Sequence, residues 1–146
     1  MRGFRAIAAA LAAIGLSATV PAVAASCTVA VIGVSFGTYD TLYGQSLDGA
    51  GSLTVTCDVG DSFTMALSSG HGTLLARQMQ NGTNVLYYNL YTNTLRSILW
   101  GDGSNGTTLV NGSGTSGTYT IYGRIPGGQR LPAGTYNDSI TVTLTF

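Results

Sequence analysis

GTYNDSITVTLTF, residues 134–146, is the stretch that decides the fold. From Ser139 onward apolar residues alternate with threonines, and the apolar residues fall on one face: Ile140, Val142, Leu144 and Phe146. Alternation with a period of two residues predicts a half-buried β-strand. A strand at the edge of a sheet exposes unpaired backbone groups, and proteins usually cover such an edge or protect it with charge or proline. This strand has neither kind of protection after Asp138.

The pattern raises the question of which strand pairs with residues 139–146. In an immunoglobulin-like sheet its neighbour should be one further C-terminal strand, but no strand pattern follows residue 146. We therefore expect another polypeptide to supply that neighbour by β-strand addition. The four apolar side chains of residues 140–146 would then line the groove that receives it.

The composition indicates a single all-β domain. The chain has 146 residues, 21 of them glycine, and all of its charged residues are arginine or aspartate. Residues that favour strands and turns are abundant, whereas good helix formers are scarce after residue 25. The apolar fraction of 45% is too high for a disordered chain.

Residues 1–25 form a separate targeting segment. MRGFR supplies two positive charges, AIAAALAAIGL is an apolar run and PAVAAS offers small-residue cleavage sites, which together predict a secretory signal peptide. The apolar run is too short for a transmembrane helix, which needs ~20 residues. Cleavage after Ala24 or Ala25 would leave a domain of residues 26–146 with a slight acidic excess. That balance argues against nucleic-acid binding, which requires a basic surface.

Export determines how Cys27 and Cys57 are interpreted. They are the only two cysteines of the chain, and an oxidising compartment favours a disulfide between them. The alternatives are two free thiols or half of a metal site. Two cysteines and one histidine cannot form a closed zinc site without help from aspartate. We predict a disulfide, no metal site and no cofactor.

The rest of the chain consists of short strand patterns separated by glycine-rich turns. We predict strands at 27–36, 51–58, 62–69, 84–92, 118–126 and 139–146, with a short edge strand within 74–80. The Asp-Val-Gly-Asp sequence at 58–61 is interpreted as a turn, and 103–117 as the loosest loop. Strands at this spacing, with turn signals between them, predict a β-sandwich.

Nine pieces of the chain together resemble one known family. They are CTV at 27–29, FGTYD at 36–40, SLTVTC at 52–57, ALSSG at 66–70, ARQM at 76–79, LYYNLYT at 86–92, LWGDG at 99–103, YTIYGRIPGGQ at 119–129 and GTYNDSITVTLTF at 134–146. Their order and spacing are similar to those of the spore coat protein U domain, which has the fold of pilins from archaic chaperone–usher pili. No single piece is diagnostic, but the series is specific.

The resemblance implies an incomplete immunoglobulin-like β-sandwich that lacks its final strand, with its two cysteines joined. It also implies a structural or adhesive subunit of a surface pilus or coat, assembled with a periplasmic chaperone, an outer-membrane usher and other pilin subunits. The chaperone first fills the groove, and the N-terminal extension of the next subunit then replaces it. Cleavage after residue 24 or 25 leaves almost no residues before Cys27 to serve as such an extension. We therefore expect a subunit that accepts a strand but donates none, at the end of a fibre.

Two other functions remain open on the sequence alone. One is a free-standing secreted binding or matrix module whose sandwich is completed by its own residues 103–117. The other is an enzyme, for which the motifs are weak. His71 has no nucleophile motif near it, and Asp102 lacks the further acidic ligands of a calcium loop. Asp58 and Asp61 would be an unsupported pair of carboxylates. We predict no catalytic residues.

Overall fold

The structure is a computed structural model that describes residue 21 and residues 24–40 and 44–146. The predicted signal peptide, residues 1–25, lies outside the described residues except at Pro21, Ala24 and Ala25. All regular structure in the described residues is β, as the composition predicts. None of them belongs to a helix that is long and apolar enough to cross a membrane.

Seven strands form the fold as described. They are β1 (Cys27–Ser35), β2 (Leu47–Leu67), β3 (His71–Gly72), β4 (Arg77–Asn81), β5 (Asn84–Tyr91), β6 (Val110–Ile125) and β7 (Val142–Thr145). All pairings between these strands are antiparallel, in the order β1-β2-β6-β5-β4-β3, with β7 also paired to β2. The sheet is strongly curled, and this curl encloses the core.

Strand β2 organises the sheet. On one side it pairs with β6 over most of its length, and on the other side its first part pairs with β1 and its last residues with β7. The predicted turn at 58–61 is wrong, because the ladder with β6 shifts register between Thr56 and Asp61 and then continues. Asp-Val-Gly-Asp contains residue types that favour turns. Pairing with β6 before and after it keeps the chain in one strand.

The glycine-rich region 103–117 is only partly a loop, so its assignment as a loose segment is also wrong. Residues 110–114 belong to β6 and pair with residues 61–65 of β2. At Gly112 a Cβ atom would collide with the Tyr119 hydroxyl and the Phe63 ring, so glycine permits these side chains to pack against the strand. Residues 110–117 lie on the opposite side of β2 from β7. They therefore do not complete the sandwich at the edge of β7, contrary to the self-completed alternative.

The core confirms the alternation expected for β2. Its inward side chains are at most 2% exposed at Leu53, Val55, Phe63, Met65 and Leu67. Trp100, which follows β5, is fully buried, and its indole Nε1 donates a hydrogen bond to the Met65 carbonyl at 3.0 Å. The indole thus contributes apolar area to the core while its one polar group is satisfied.

The predicted disulfide is confirmed. Cys27 and Cys57 are bonded and face one another across β1 and β2, so the alternatives of free thiols or a metal site are wrong for this pair. Further along β1 the ladder has a bulge between Ile32 and Ser35. Opposite the bulge, a Cβ atom on Gly51 would lie 2.5 Å from the Ile32 carbonyl oxygen. Glycine at this position therefore allows β1 to approach β2 where it bends.

A buried arginine supports the end of β2. Arg77 is fully buried, and its guanidinium donates to the carbonyl oxygens of Ser68 at 3.0 Å and Trp100 at 2.8 Å and to Asn89 Oδ1 at 2.6 Å. Burial lowers the pKa of Arg77 below its usual value, although the side chain stays charged. Since Ser68 directly follows β2, Arg77 fixes the place where β2 meets the last segment of the chain.

Candidate strand-binding groove

Strand β7 is paired along one edge. Val142–Thr145 pair with residues 64–67 of β2, and Ser68 extends the contact by one residue. Its N–H donates to the Thr141 carbonyl at 3.0 Å, and its Oγ accepts from the Thr141 N–H at 2.9 Å. Regular strand structure is therefore shorter than the predicted 139–146. Among the described residues, no strand pairs with the opposite edge of β7.

The apolar face predicted for residues 140–146 is only half covered. Ile140, Val142 and Leu144 are partly buried against the core, whereas the threonines between them are exposed. Phe146 is 52% exposed. By contrast, Phe63, Met65 and Leu67 on the neighbouring part of β2 are at most 2% exposed. The alternation therefore identifies the correct face, and this face lacks the cover that a neighbouring strand would provide.

A cavity of about 300 Å³ lies between β1 and the last segment of the chain. Its apolar lining comes from most strands of the fold and includes Val34 and Phe36 around the end of β1, Leu67 of β2, Met79 of β4, Leu86, Tyr88 and Leu90 of β5, Ile121 and Ile125 of β6, and Ile140 and Val142. A cavity this large within an otherwise close-packed core is unusual. It has room for apolar side chains that the described residues do not supply.

A second depression lies at the other end of β7. It has a volume of about 320 Å³ and is lined by Phe63, Gly112 and Phe146 together with the polar residues Ser62, Thr64, Asn111 and Thr145. Of the four predicted groove residues, Ile140 and Val142 thus line the first cavity and Phe146 the second. Leu144 lies between the two and packs against the core. We use the name groove for the cavity, the depression and the inner face of residues 140–146 that connects them.

The other wall of the groove is β1. Within the described ranges β1 pairs with β2 alone, and residues 31 and 33–36 line the cavity. Val31 and Ile32 are 53% and 70% exposed. Both walls therefore present a strand edge that carries apolar side chains and that no further strand of the described residues pairs with.

One end of the groove is polar. Asp138 is among the residues that line the cavity, and its side chain is only 2% exposed. Its Oδ2 accepts a hydrogen bond from the Tyr88 hydroxyl at 2.6 Å, and its Oδ1 accepts from the N–H of His71 at 3.0 Å and from the N–H of Ser139 at 2.8 Å. His71 Nδ1, 2.9 Å from Oδ1, also donates, because a carboxylate only accepts. Burial and the bond to Asp138 raise the pKa of Tyr88, so its hydroxyl keeps its proton.

The structure separates the residues considered for catalysis. His71 is bonded to Asp138, whereas Asp102 accepts hydrogen bonds from Ser104 within its own turn. Asp58 accepts from the backbone N–H of Ser26. No group of three or more histidine, cysteine or acidic residues within the described ranges is arranged to hold a metal ion.

Sequence reasoning missed Asp138 as part of this site and Arg77 as a buried charge near it. A signal for Asp138 was present, because it has the same parity as Ile140 and so continues the inward row by one position. For Arg77 the sequence carries no comparable signal. A lone arginine in a strand pattern is usually exposed, and its burial depends on acceptors distant in sequence.

Comparison with known proteins agrees with the geometry. The family model of the Spore Coat Protein U domain matches residues 12–143. Protein U of Myxococcus xanthus is 36% identical over 127 residues, which cover 77% of this chain and 71% of that protein.

A solved structure also has a similar fold. It is the pre-assembly complex of the chaperone CsuC and the tip adhesion subunit CsuE, from the archaic chaperone–usher Csu pili of Acinetobacter baumannii. The match has a TM-score of 0.59 at 23% identity and covers 85% of this chain. This chain spans only 40% of the length of the matched one. Together with the all-β fold, the match of the family model over most of the sequence establishes that the chain belongs to the Spore Coat Protein U domain family.

Proposed function

We propose that this protein is an exported structural subunit of a surface pilus or coat, and that its groove receives a β-strand from another polypeptide. The observation that carries the proposal is the cavity between two unpaired strand edges, β1 and β7. A single extended segment placed there would pair with backbone groups of β7 and direct alternate side chains into the cavity. This is the arrangement of β-strand addition.

The energetics favour an apolar partner strand. Each large apolar side chain that becomes fully buried contributes about 1.5–3 kcal/mol before the costs of ordering and association. The partly buried Ile140 and Val142 and the half-exposed Phe146 would lose water contact at the same time. An unprotected apolar edge also templates unwanted pairing. A protein of this kind therefore needs a partner before it is released from the cell.

The proposed partners act in sequence. A periplasmic chaperone covers the groove after export, and at an outer-membrane usher the strand of a neighbouring pilin subunit replaces it. Membership of the Spore Coat Protein U domain family supports this order. The name of the Acinetobacter complex, which joins a chaperone to a tip subunit of a pilus, supports it as well.

A strand-binding experiment tests the proposal. A synthetic peptide with valine at alternate positions should raise the melting temperature of the purified protein. Val142→Asp should abolish this gain, because the carboxylate would be enclosed without a partner. Thr143→Asp is the matched control, since residue 143 is exposed on the outer face, and it should retain the gain. A protein indifferent to every such peptide, or equal losses in both variants, would refute the proposed function.

The proposal includes an acceptor role at a fibre end, which depends on how the leader is removed. Cleavage after Ala24 or Ala25 would leave too few residues before Cys27 to form a donor strand. N-terminal sequencing of the secreted protein checks this directly. A mature chain that starts at Ala25 or Ser26 supports the acceptor role, and a long extension before the first cysteine contradicts it.

A further inference from the structure

The chain contains three pairs in which glycine follows asparagine: Asn81-Gly82, Asn105-Gly106 and Asn111-Gly112. Such a pair is chemically labile, because the glycine nitrogen, with no side chain beside it, can attack the carboxamide carbon of the asparagine. All three asparagines are exposed, and threonine or serine follows each pair. The sequence therefore makes the three sites nearly equivalent, and only their backbone surroundings differ.

Asn111 is the most constrained of the three. It lies within β6, and Gly112 pairs with Phe63 of β2. Backbone groups along a strand alternate in direction, and the N–H of Ser68, just after β2, points to the Thr141 carbonyl on the side of β7. Phe63 lies an odd number of residues away, so its backbone groups point to β6. The Gly112 N–H is thus a donor of the ladder, and its nitrogen is held away from the carboxamide.

Asn81 is held on one side only. It is the last residue of β4 and pairs with Asn84 across a two-residue turn. Gly82, the first residue of that turn, has a φ of 60°. The Gly82 N–H donates to none of the described residues. The nucleophilic nitrogen is therefore available at this site, but the backbone of the asparagine is fixed by the hairpin.

Asn105 is the least constrained of the three. Asn105 and Gly106 are the central residues of a turn that lies outside the strands, closed by a bond from the Thr107 N–H to the Ser104 carbonyl at 2.9 Å. Their φ angles are 52° and 78°, in the left-handed region that asparagine and glycine adopt most readily. The Gly106 N–H donates to none of the described residues. Neither residue of this pair belongs to a ladder.

We propose that Asn105 is a site of spontaneous deamidation, and that the fold sets the order of reaction as Asn105, then Asn81, then Asn111. The Gly106 nitrogen loses its proton to hydroxide and bonds to Cγ of Asn105, and the side-chain nitrogen takes a proton from water and leaves as ammonia. The succinimide ring so formed adds water at either carbonyl and opens to aspartate or isoaspartate. Overall, water is consumed and ammonia is released, without an enzyme or an oxidant.

The position of the turn gives this modification a structural effect. Thr107 is buried, and its hydroxyl donates to the Ser104 carbonyl at 2.7 Å. The next residue, Thr108, forms a β-bridge with Trp100, which is fully buried. Isoaspartate lengthens the backbone of the turn by a methylene group. It would therefore displace Thr107 and weaken the backbone contacts that support Trp100.

Ageing of the purified protein tests the proposed order. The protein is kept in mildly alkaline buffer, which favours loss of the glycine proton, and is sampled over time for peptide mapping by mass spectrometry. We expect the mass shift of an amide converted to an acid first at Asn105, later at Asn81 and last at Asn111. In urea, with the disulfide intact, the three sites should react at similar rates. Equal rates in the folded protein, or the same order in urea, would overturn the proposal.

Two variants locate the modification. In Asn105→Gln the attack would have to close a larger ring, so the main acidic form that accumulates on isoelectric focusing should disappear. Asn111→Gln is the matched control and should leave that form unchanged. Persistence of the form in Asn105→Gln would refute the assignment to Asn105.

The isoaspartate form, separated by ion exchange, should melt at a lower temperature than the unmodified protein. An equal melting temperature would contradict the structural effect assigned to the turn. All of these measurements use the protein without a peptide, so their outcome is independent of the proposed strand binding.

Discussion

The strands β6 and β7, which pair with opposite edges of β2, both contain alternating apolar residues. The apolar faces on the two sides are covered to different extents. On the side of β6, two long strands pair through most of their length, and five inward side chains of β2, those of Leu53, Val55, Phe63, Met65 and Leu67, are at most 2% exposed. On the side of β7, a four-residue strand pairs along one edge, and its inward residues are only partly buried. Alternation thus indicates which face is apolar. Whether that face is covered depends on neighbours, which the pattern does not contain.

Polar groups are satisfied on both sides. In the buried core, Arg77 donates to acceptors from three parts of the chain. At the polar end of the groove, Asp138 accepts hydrogen bonds from Tyr88, His71 and Ser139. No buried side-chain nitrogen or oxygen of the described residues lacks a partner, as is usual in native proteins. The two sides therefore differ in the cover of their apolar faces and not in unsatisfied polar groups.

The largest effect is expected in the buried core, at Arg77. Arg77→Met preserves much of the side-chain volume but removes the hydrogen bonds that the guanidinium donates to the Ser68 and Trp100 carbonyls and to Asn89 Oδ1. We expect a loss of about 3–5 kcal/mol in the free energy of unfolding, measured by urea denaturation. Arg130→Met, at an exposed arginine, should have little effect. Equal effects of the two substitutions would contradict the role given to the buried guanidinium.

The disulfide is the next largest contribution, because it fixes β1, the wall of the groove opposite β7. Replacing both Cys27 and Cys57 by serine opens a covalent loop with a sequence separation of 30 residues. The chain-entropy relation gives a loss of about 3–4 kcal/mol. The double variant should also bind the alternating peptide more weakly, since one wall is less well held. An unchanged unfolding midpoint in this variant would show that the bond has no stabilising role.

A matched pair of leucines compares the two sides directly. Leu67→Ala, at a fully buried position, should cost about 2–5 kcal/mol. Leu144→Ala, at a partly buried one, should cost less than half as much in the isolated protein. Addition of the alternating peptide should increase the cost of Leu144→Ala and leave that of Leu67→Ala nearly unchanged. If the peptide raises both costs equally, it does not act at β7.

The smallest effect is expected at the exposed ion pairs of Asp48. Arg124 donates to both oxygens of Asp48, at 2.7 and 3.0 Å, and lowers the pKa of that carboxyl. A lowered folded-state pKa stabilises the protein above the unfolded value, near pH 4, and this contribution is lost as the pH falls below it. Asp48→Asn should therefore be slightly less stable than the wild type at pH 6, with the difference vanishing toward pH 2. Arg124→Gln should reproduce this profile, and a constant difference at all pH values would contradict it.

Much of the fold could be predicted from the sequence because its determinants are local. The parity of Phe63, Met65 and Leu67 follows from the period of a strand, and the export signal makes the disulfide the expected state of the cysteines. The turn at 58–61 and the loop at 103–117 were predicted wrongly for one reason. Both segments have turn composition, but β2 and β6 hold each other extended through long-range pairing.

The groove could be predicted only in part. The apolar row of 140–146 follows from alternation, and its position in the structure agrees with the predicted face. The opposite wall could not be identified in the same way. It depends on the bulge near Gly33 and on the curl of the sheet, which bring β1 to the cavity. The polar end was missed because the bonds of Asp138 with Tyr88 and His71 join residues 50 and 67 positions apart.

The central claim is that the outer edge of β7 is open and accepts a strand, and amide hydrogen exchange tests it most directly. Residue 141 exchanges backbone and side-chain hydrogen bonds with Ser68. By the alternation of an antiparallel ladder, the N–H groups of Val142 and Leu144 then point away from β2, and those of Thr143 and Thr145 point toward it.

In the isolated protein, the amides of Val142 and Leu144 should exchange much faster than those of Thr143 and Thr145. Binding of the alternating peptide should slow the exchange of Val142 and Leu144 at least tenfold. Slow exchange at Val142 and Leu144 in the isolated protein, unaffected by the peptide, would mean that the edge is already closed and would contradict the account.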